Sequence, residues 1–132
     1  MPVGLDWYAV PMSSVREVVS RPLLTHVPTA PDAVLGLFNL RGEIVPLFDT
    51  AALLGTGHVE EASYCTVVLT PLGPGGLAAT GVPEATELGE PSGGAEIPGG
   101  VATYALGSRP ATLLDIDALL APARTGGWSQ GA

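Results

Sequence analysis

LGLFNLRGEIVPLFDTAALL, residues 35–54, reads as two short apolar runs separated by a turn and followed by a capped helix. Leu35, Leu37 and Leu40 mark the first run, Glu43 to Phe48 the second, and Arg41-Gly42 stands between them. That pattern predicts a tight β-hairpin. Gly42 suits the turn because glycine enters positive φ without a Cβ clash. Asp49 then offers a carboxylate to the free amides of a helix start, and Gly55 offers a left-handed stop after Leu54. Leu37 and Phe38 are assigned to the core.

The unit returns further along the chain. An offset of 66 residues carries Asp49 onto Asp115, Leu47 onto Leu113, Ala52 onto Ala118, and Leu53-Leu54 onto Leu119-Leu120. Phe38 then matches Tyr104, and Leu40 matches Leu106. A duplicated hairpin, cap and helix fits two small barrels sharing one core. One domain is predicted over residues 1–120, with 5–62 as the first barrel half, 63–120 as the second and 121–132 as a disordered tail.

Outward from the centre, Leu5 to Met12 is predicted as a strand. Ser14-Val15-Arg16-Glu17 has the spacing of a capping box and opens one helical turn before the β-branched valines favour a strand. Pro22, Pro28 and Pro31 mark an irregular passage. Residues 64–70 and 77–82 form a hairpin around the loop 71–76, and 84–88 continue as a strand. The Gly-, Pro-, Glu- and Ser-rich stretch 89–100 is expected as a mobile surface loop. Residues 101–106 and 111–114 make the last hairpin around Gly107-Ser108, and 115–120 the second capped helix.

The composition suits a β-rich domain with many turns. Of 132 residues, 18 are Gly and 13 Pro, hard to seat inside helices, while 46% are hydrophobic, enough for one core. Thirteen acids face five arginines and no lysine, a net charge of −8. No basic stripe exists to replace phosphate counterions, so nucleic acid is not the expected partner, and the same charge disfavours anionic lipid. No apolar run reaches bilayer length, and the first residues lack the features of a signal peptide, so no membrane insertion and a cytoplasmic location are expected. Cys65, the single cysteine, is read as a small core hydrophobe. Asp49 and Asp115 are read as helix caps rather than an acid–base pair. His26 and His58 lack ligand-spaced partners, and no serine has a nucleophile-elbow context. No metal, cofactor or catalytic residue is predicted.

Arg41 is the most informative charge, a rare cation beside a turn glycine. It serves either as an exposed turn residue in a weak ion pair or as an interface anchor. Asn39 either satisfies turn backbone or meets a partner.

Asn39-Leu40-Arg41-Gly42-Glu43-Ile44-Val45-Pro46-Leu47-Phe48-Asp49 resembles the NLRG-x-I-V-P-x-x-D signature of the CheW family, the coupling proteins of bacterial chemotaxis. Tyr8 to Met12 with Val15 to Val19, the segment from Val27 to Gly36, and Thr112 to Leu120 resemble that family in the same order. The resemblance implies two intertwined five-stranded SH3-like β-barrels with short helices. It implies a non-enzymatic adaptor between the cytoplasmic tip of a chemoreceptor and the regulatory domain of a histidine autokinase. On the matching positions, Val15, Glu17, Asn39, Arg41 and Gly42 become the expected partner-binding residues, with Glu17 and Arg41 able to pair; core packing is the other reading of Val15. Only Met1 to Asp6 stand where family members have a fuller first strand, so an edge strand is expected to be missing there. The alternative is a CheW-like interaction module of a non-chemotaxis signalling complex, able to self-associate.

Overall fold

The computed structural model describes residues 1–124. In chain order the strands are β1 (Pro2–Val3), β2 (Asp6–Ala9), β3 (Val15–Ser20), β4 (Val34–Leu40), β5 (Glu43–Phe48), β6 (Tyr64–Thr70), β7 (Gly73–Ala79), β8 (Gly93–Gly94), β9 (Gly100–Leu106) and β10 (Arg109–Leu114). Helix α1 (Thr50–Leu54) follows β5, and α2 (Ile116–Arg124) follows β10.

The central hairpin forms as its residues predict. Leu40 pairs with Glu43, leaving Arg41 and Gly42 as the turn. Both have positive φ, 52° and 89°, the combination whose twist matches that of the flanking strands. Asn39 Oδ1 accepts the Gly42 amide at 2.8 Å and pins the turn. Asp49 caps α1 by accepting Ala52 N at 3.0 Å, and Gly55 closes it at φ 73°. The 66-residue echo is a structural repeat: the offset carries β4 onto β9, β5 onto β10 and α1 onto the start of α2. Asp115 caps α2 through Ala118 N at 3.2 Å. The two helices lie against each other, with Leu54 and Leu120 fully buried.

Two five-stranded sheets result, in the orders β1-β2-β10-β9-β8 and β3-β6-β7-β5-β4. They do not divide the chain at residues 62 and 63. The N-terminal β1–β2 hairpin completes the C-terminal sheet, and β6–β7 completes the other. The reason is the parallel pairing of β5 with β7 and of β10 with β2. Parallel neighbours need a crossover, so the chain cannot close a sheet from consecutive hairpins alone. The sheets also touch through Thr80 N, which donates to Pro2 O at 3.0 Å, and Gly4 N, which donates to Thr80 Oγ1 at 2.9 Å.

Several local expectations yield to tertiary packing. The capping box does not form: a 3-10 turn at Met12–Ser14 has no side-chain cap, and Val15 opens β3. The loop expected at 71–76 shrinks to Pro71-Leu72, because Gly73 to Gly76 lie in β7. A Cβ on Gly76 would collide with Cys65 Sγ and stand 3.2 Å from Leu47 Cδ1, so the glycine is there to let β7 into the core. β7 stops at Ala79 instead of residue 82, and 84–88 form no strand. The stretch 89–100 contains the edge strand β8, with Gly93 paired to Thr103. The strand expected over 5–12 is β2 alone; Leu5 sits in the turn after β1, so a two-residue edge strand exists where none was expected. α2 runs through Arg124, four residues beyond the expected boundary, and the rest of the tail lies outside the described residues.

Phe48, Leu47, Leu54, Leu77 and Leu114 are fully buried, each worth about 1.5–3 kcal/mol of apolar transfer. Cys65 lies among them, its thiol pushed up to about 12 by burial, which fits an inert core residue.

Candidate partner-binding site

β3 and β4 are opposite edges of one sheet. Laid flat, four strand spacings would hold them roughly 19 Å apart. Yet Glu17 of β3 takes the guanidinium of Arg41 in a bidentate pair: Nη1 donates to Oε1 at 3.0 Å and Nη2 donates to Oε2. Arg16 of β3 likewise reaches Glu43 of β5 at 2.5 Å. The sheet is therefore curled until its edges meet, and two ion pairs span the seam. Sequence reasoning missed Arg16 and Glu43 because the curl alone brings them together.

The Arg41 side chain is 65% exposed and that of Glu17 26%. Hydrogen bonds from Arg41 hold the Glu17 carboxyl below its usual 4.5, and Glu17 in turn raises Arg41. A depressed carboxylate pKa means that the pair contributes fully above the unfolded value and is lost as pH falls through the folded value. An NMR titration of the Glu17 side chain is expected to show a midpoint below 4.5 that rises toward it in Arg41→Gly and in high salt. A midpoint unaltered by either change would mean that the pair does not persist in solution.

The remaining expected site residues fall into two groups. Asn39 and Gly42 hold the turn that presents Arg41. Val15 is set apart from Glu17 by an irregularity in the β3–β6 register and lines a groove with Met12 and Val18. Arg41 itself is a non-glycine residue in the left-handed region, a conformation its side chain disfavours. Asp49 is not available for chemistry: it is buried, its Oδ1 accepts Ala52 N and Val59 N, each at 3.0 Å, and Oδ2 lies 3.2 Å from His58 Nδ1. Among the described residues there is no group of three His, Cys, Asp or Glu placed to hold a metal, and no helix is long and apolar enough to cross a membrane.

The profile of the CheW-like domain family matches residues 1–124. The chain belongs to the CheW-like domain family. Similar proteins include the chemotaxis protein CheW of Helicobacter pylori, 40% identical over 53 residues, covering 40% of this chain and 32% of that protein. The CheW of Rhizobium meliloti is 42% identical over 58 residues, 44% of this chain and 37% of the relative. Protein PilI of Pseudomonas aeruginosa is 35% identical over 54 residues, 41% and 30%. These matches span only about a third of each relative's length. In fold, the chain is similar to the crystal structure of the scaffolding protein TtCheW from Thermoanaerobacter tengcongensis, with a TM-score of 0.72 over 86% of this chain and 84% of that one at 20% identity.

Proposed function

We propose that this domain is a non-enzymatic chemotaxis adaptor in the cytoplasm that couples the tip of a chemoreceptor to the regulatory domain of a histidine autokinase, with the Arg41–Glu17 face as a partner contact. The observation that carries the reading is the exposed bidentate pair at the curled seam. Arg41 is held in a disfavoured backbone conformation on a turn pinned by Asn39, a placement that costs the fold and fits an interface anchor. Membership of the family and the relatives named for chemotaxis support the same class. Scaffolding of this kind acts by fixing the kinase beside the receptor and biasing its active population.

Arg41→Gly separates function from folding, because glycine adopts φ 52° without strain. Titrating purified protein with a receptor tip and with a kinase regulatory domain is expected to show saturable binding to both. Arg41→Gly and Glu17→Gln should weaken one of the two by about tenfold or more while leaving the thermal unfolding midpoint near wild type. Binding of both partners unaffected by either substitution would remove this face from the mechanism. The similarity to PilI, whose name carries no chemotaxis label, favours a second reading, a CheW-like module of another signalling complex. Binding to neither partner by the folded protein would select it.

A further inference from the structure

Consecutive residues of a β-strand point to opposite faces of the sheet. Arg16 and Glu17 are consecutive on β3, yet both reach across the seam to one hairpin, Arg16 to Glu43 and Glu17 to Arg41. The register explains how. Val15 stands opposite Val68 and Glu17 opposite Val67, so Arg16 is an extra residue with no partner position on β6. Such a β-bulge re-aims a side chain, and bulges gather at the rims of barrels and beside functional sites.

The four charges form a closed ring of alternating sign. Each cation has a carboxylate close by along the chain, Arg16 beside Glu17 and Arg41 one glycine away from Glu43, and faces another across the seam. The neighbours along the chain act on each other too. The Glu17 carboxyl is lowered first by the hydrogen bonds of Arg41 and also by the charge of Arg16, and Arg41 is raised first by Glu17 and also by Glu43. The hairpin itself folds without this ring. The 66-residue offset carries Arg16, Glu17, Arg41 and Glu43 onto Val82, Pro83, Gly107 and Arg109. The β9–β10 hairpin forms around Gly107 all the same, with Arg109 over the Trp7 ring at 4.2 Å.

We propose that Arg16 and Glu43 are positioning residues for the partner contact, on the reading that the Arg41–Glu17 face is where a partner binds. By holding each other they leave Arg41 and Glu17 to pair only with each other, which fixes the direction in which Arg41 is presented. An unpaired Glu43 competes with Glu17 for Arg41, and an unpaired Arg16 competes with Arg41 for Glu17. Losing either member therefore disturbs the exposed pair, whereas losing both leaves it alone. Exchanging the two, Arg16→Glu with Glu43→Arg, keeps an ion pair across the seam but sets a second carboxylate beside Glu17 and a second guanidinium near Arg41. Like charges placed together in this way work against the Arg41–Glu17 pair.

The test titrates a receptor tip and a kinase regulatory domain with wild type, Arg16→Gln, Glu43→Gln, the double Gln variant, the exchanged variant and Arg41→Gly, and reads the Glu17 midpoint by NMR in each. For the partner that Arg41→Gly weakens, each single Gln variant is expected to bind at least about fivefold more weakly and the exchanged variant at least about tenfold, while the double Gln variant stays within about twofold of wild type. The Glu17 midpoint should rise in Arg16→Gln and in the exchanged variant, and rise less in the double Gln variant. A clamp that only holds the seam shut predicts another order, with the exchanged variant like wild type and the double Gln variant no better than the single ones, and that result overturns the positioning role. The role is also overturned, with the face left standing, if Arg41→Gly weakens a partner that none of the Arg16 and Glu43 variants affects. Arg41→Gly without effect on either partner removes the face and the positioning role together.

Discussion

Asp49→Ala is expected to destabilise the domain by about 2–4 kcal/mol, while Asp115→Ala, the same change in the repeated unit, costs about 0.5–1 kcal/mol. Both carboxylates cap a helix, but their surroundings differ. Asp49 is 1% exposed, and its Oδ1 serves Ala52 N and also Val59 N, which lies outside the helix. Removing it strands two amides, that of Val59 in a buried place and that of Ala52 in a partly buried one, and each pays a desolvation cost. Asp115 is exposed and makes one cap bond at 3.2 Å, which water replaces. Urea unfolding of both variants checks the contrast. Equal losses would show that helix capping alone accounts for Asp49 and that its bond to the 58–59 loop adds nothing.

The second large effect is expected at Gly76. Gly76→Ala should cost about 1–3 kcal/mol and Gly76→Val more, because the added carbon meets Cys65 Sγ, Leu47 Cδ1 at 3.2 Å and Phe38 Cε1 at 3.3 Å in a fully packed interior. Gly93→Ala is the matched control, in a strand where a Cβ would meet nothing within 4 Å. Cys65→Ala removes the worst obstruction, so the double variant with Gly76→Ala should lose less than the sum of the single changes, a coupling expected only between touching residues. Additive losses would place the strain elsewhere.

The departures from sequence-based expectation have a common cause. Four glycine and proline residues at 73–76 have every local mark of a loop, yet they form strand, and at Gly76 the side chains of Leu47, Phe38 and Cys65 fill the space that its own leaves empty. Ser14 and Glu17 have the spacing of a capping box, but Glu17 is taken by Arg41 from across the seam. In each case a partner distant in sequence outbids a local preference, and no window of neighbouring residues contains that partner.

Local chemistry was sufficient for the hairpin at residues 34–48, its positive-φ turn at Arg41-Gly42, the caps at Asp49 and Asp115, and the repeat that relates them. Those features depend on residues within a few positions of one another, or on a pattern copied within the chain. The signature around Arg41 also marked the pair with Glu17 before any geometry was known. Tertiary structure alone decided which strands share a sheet, that Arg16 and Glu43 join the seam, and that Pro83 to Thr86 line a groove with Met1 and Val10. Parallel crossovers and sheet curl set those outcomes, and both arise from where whole elements can pack rather than from any residue's own preference.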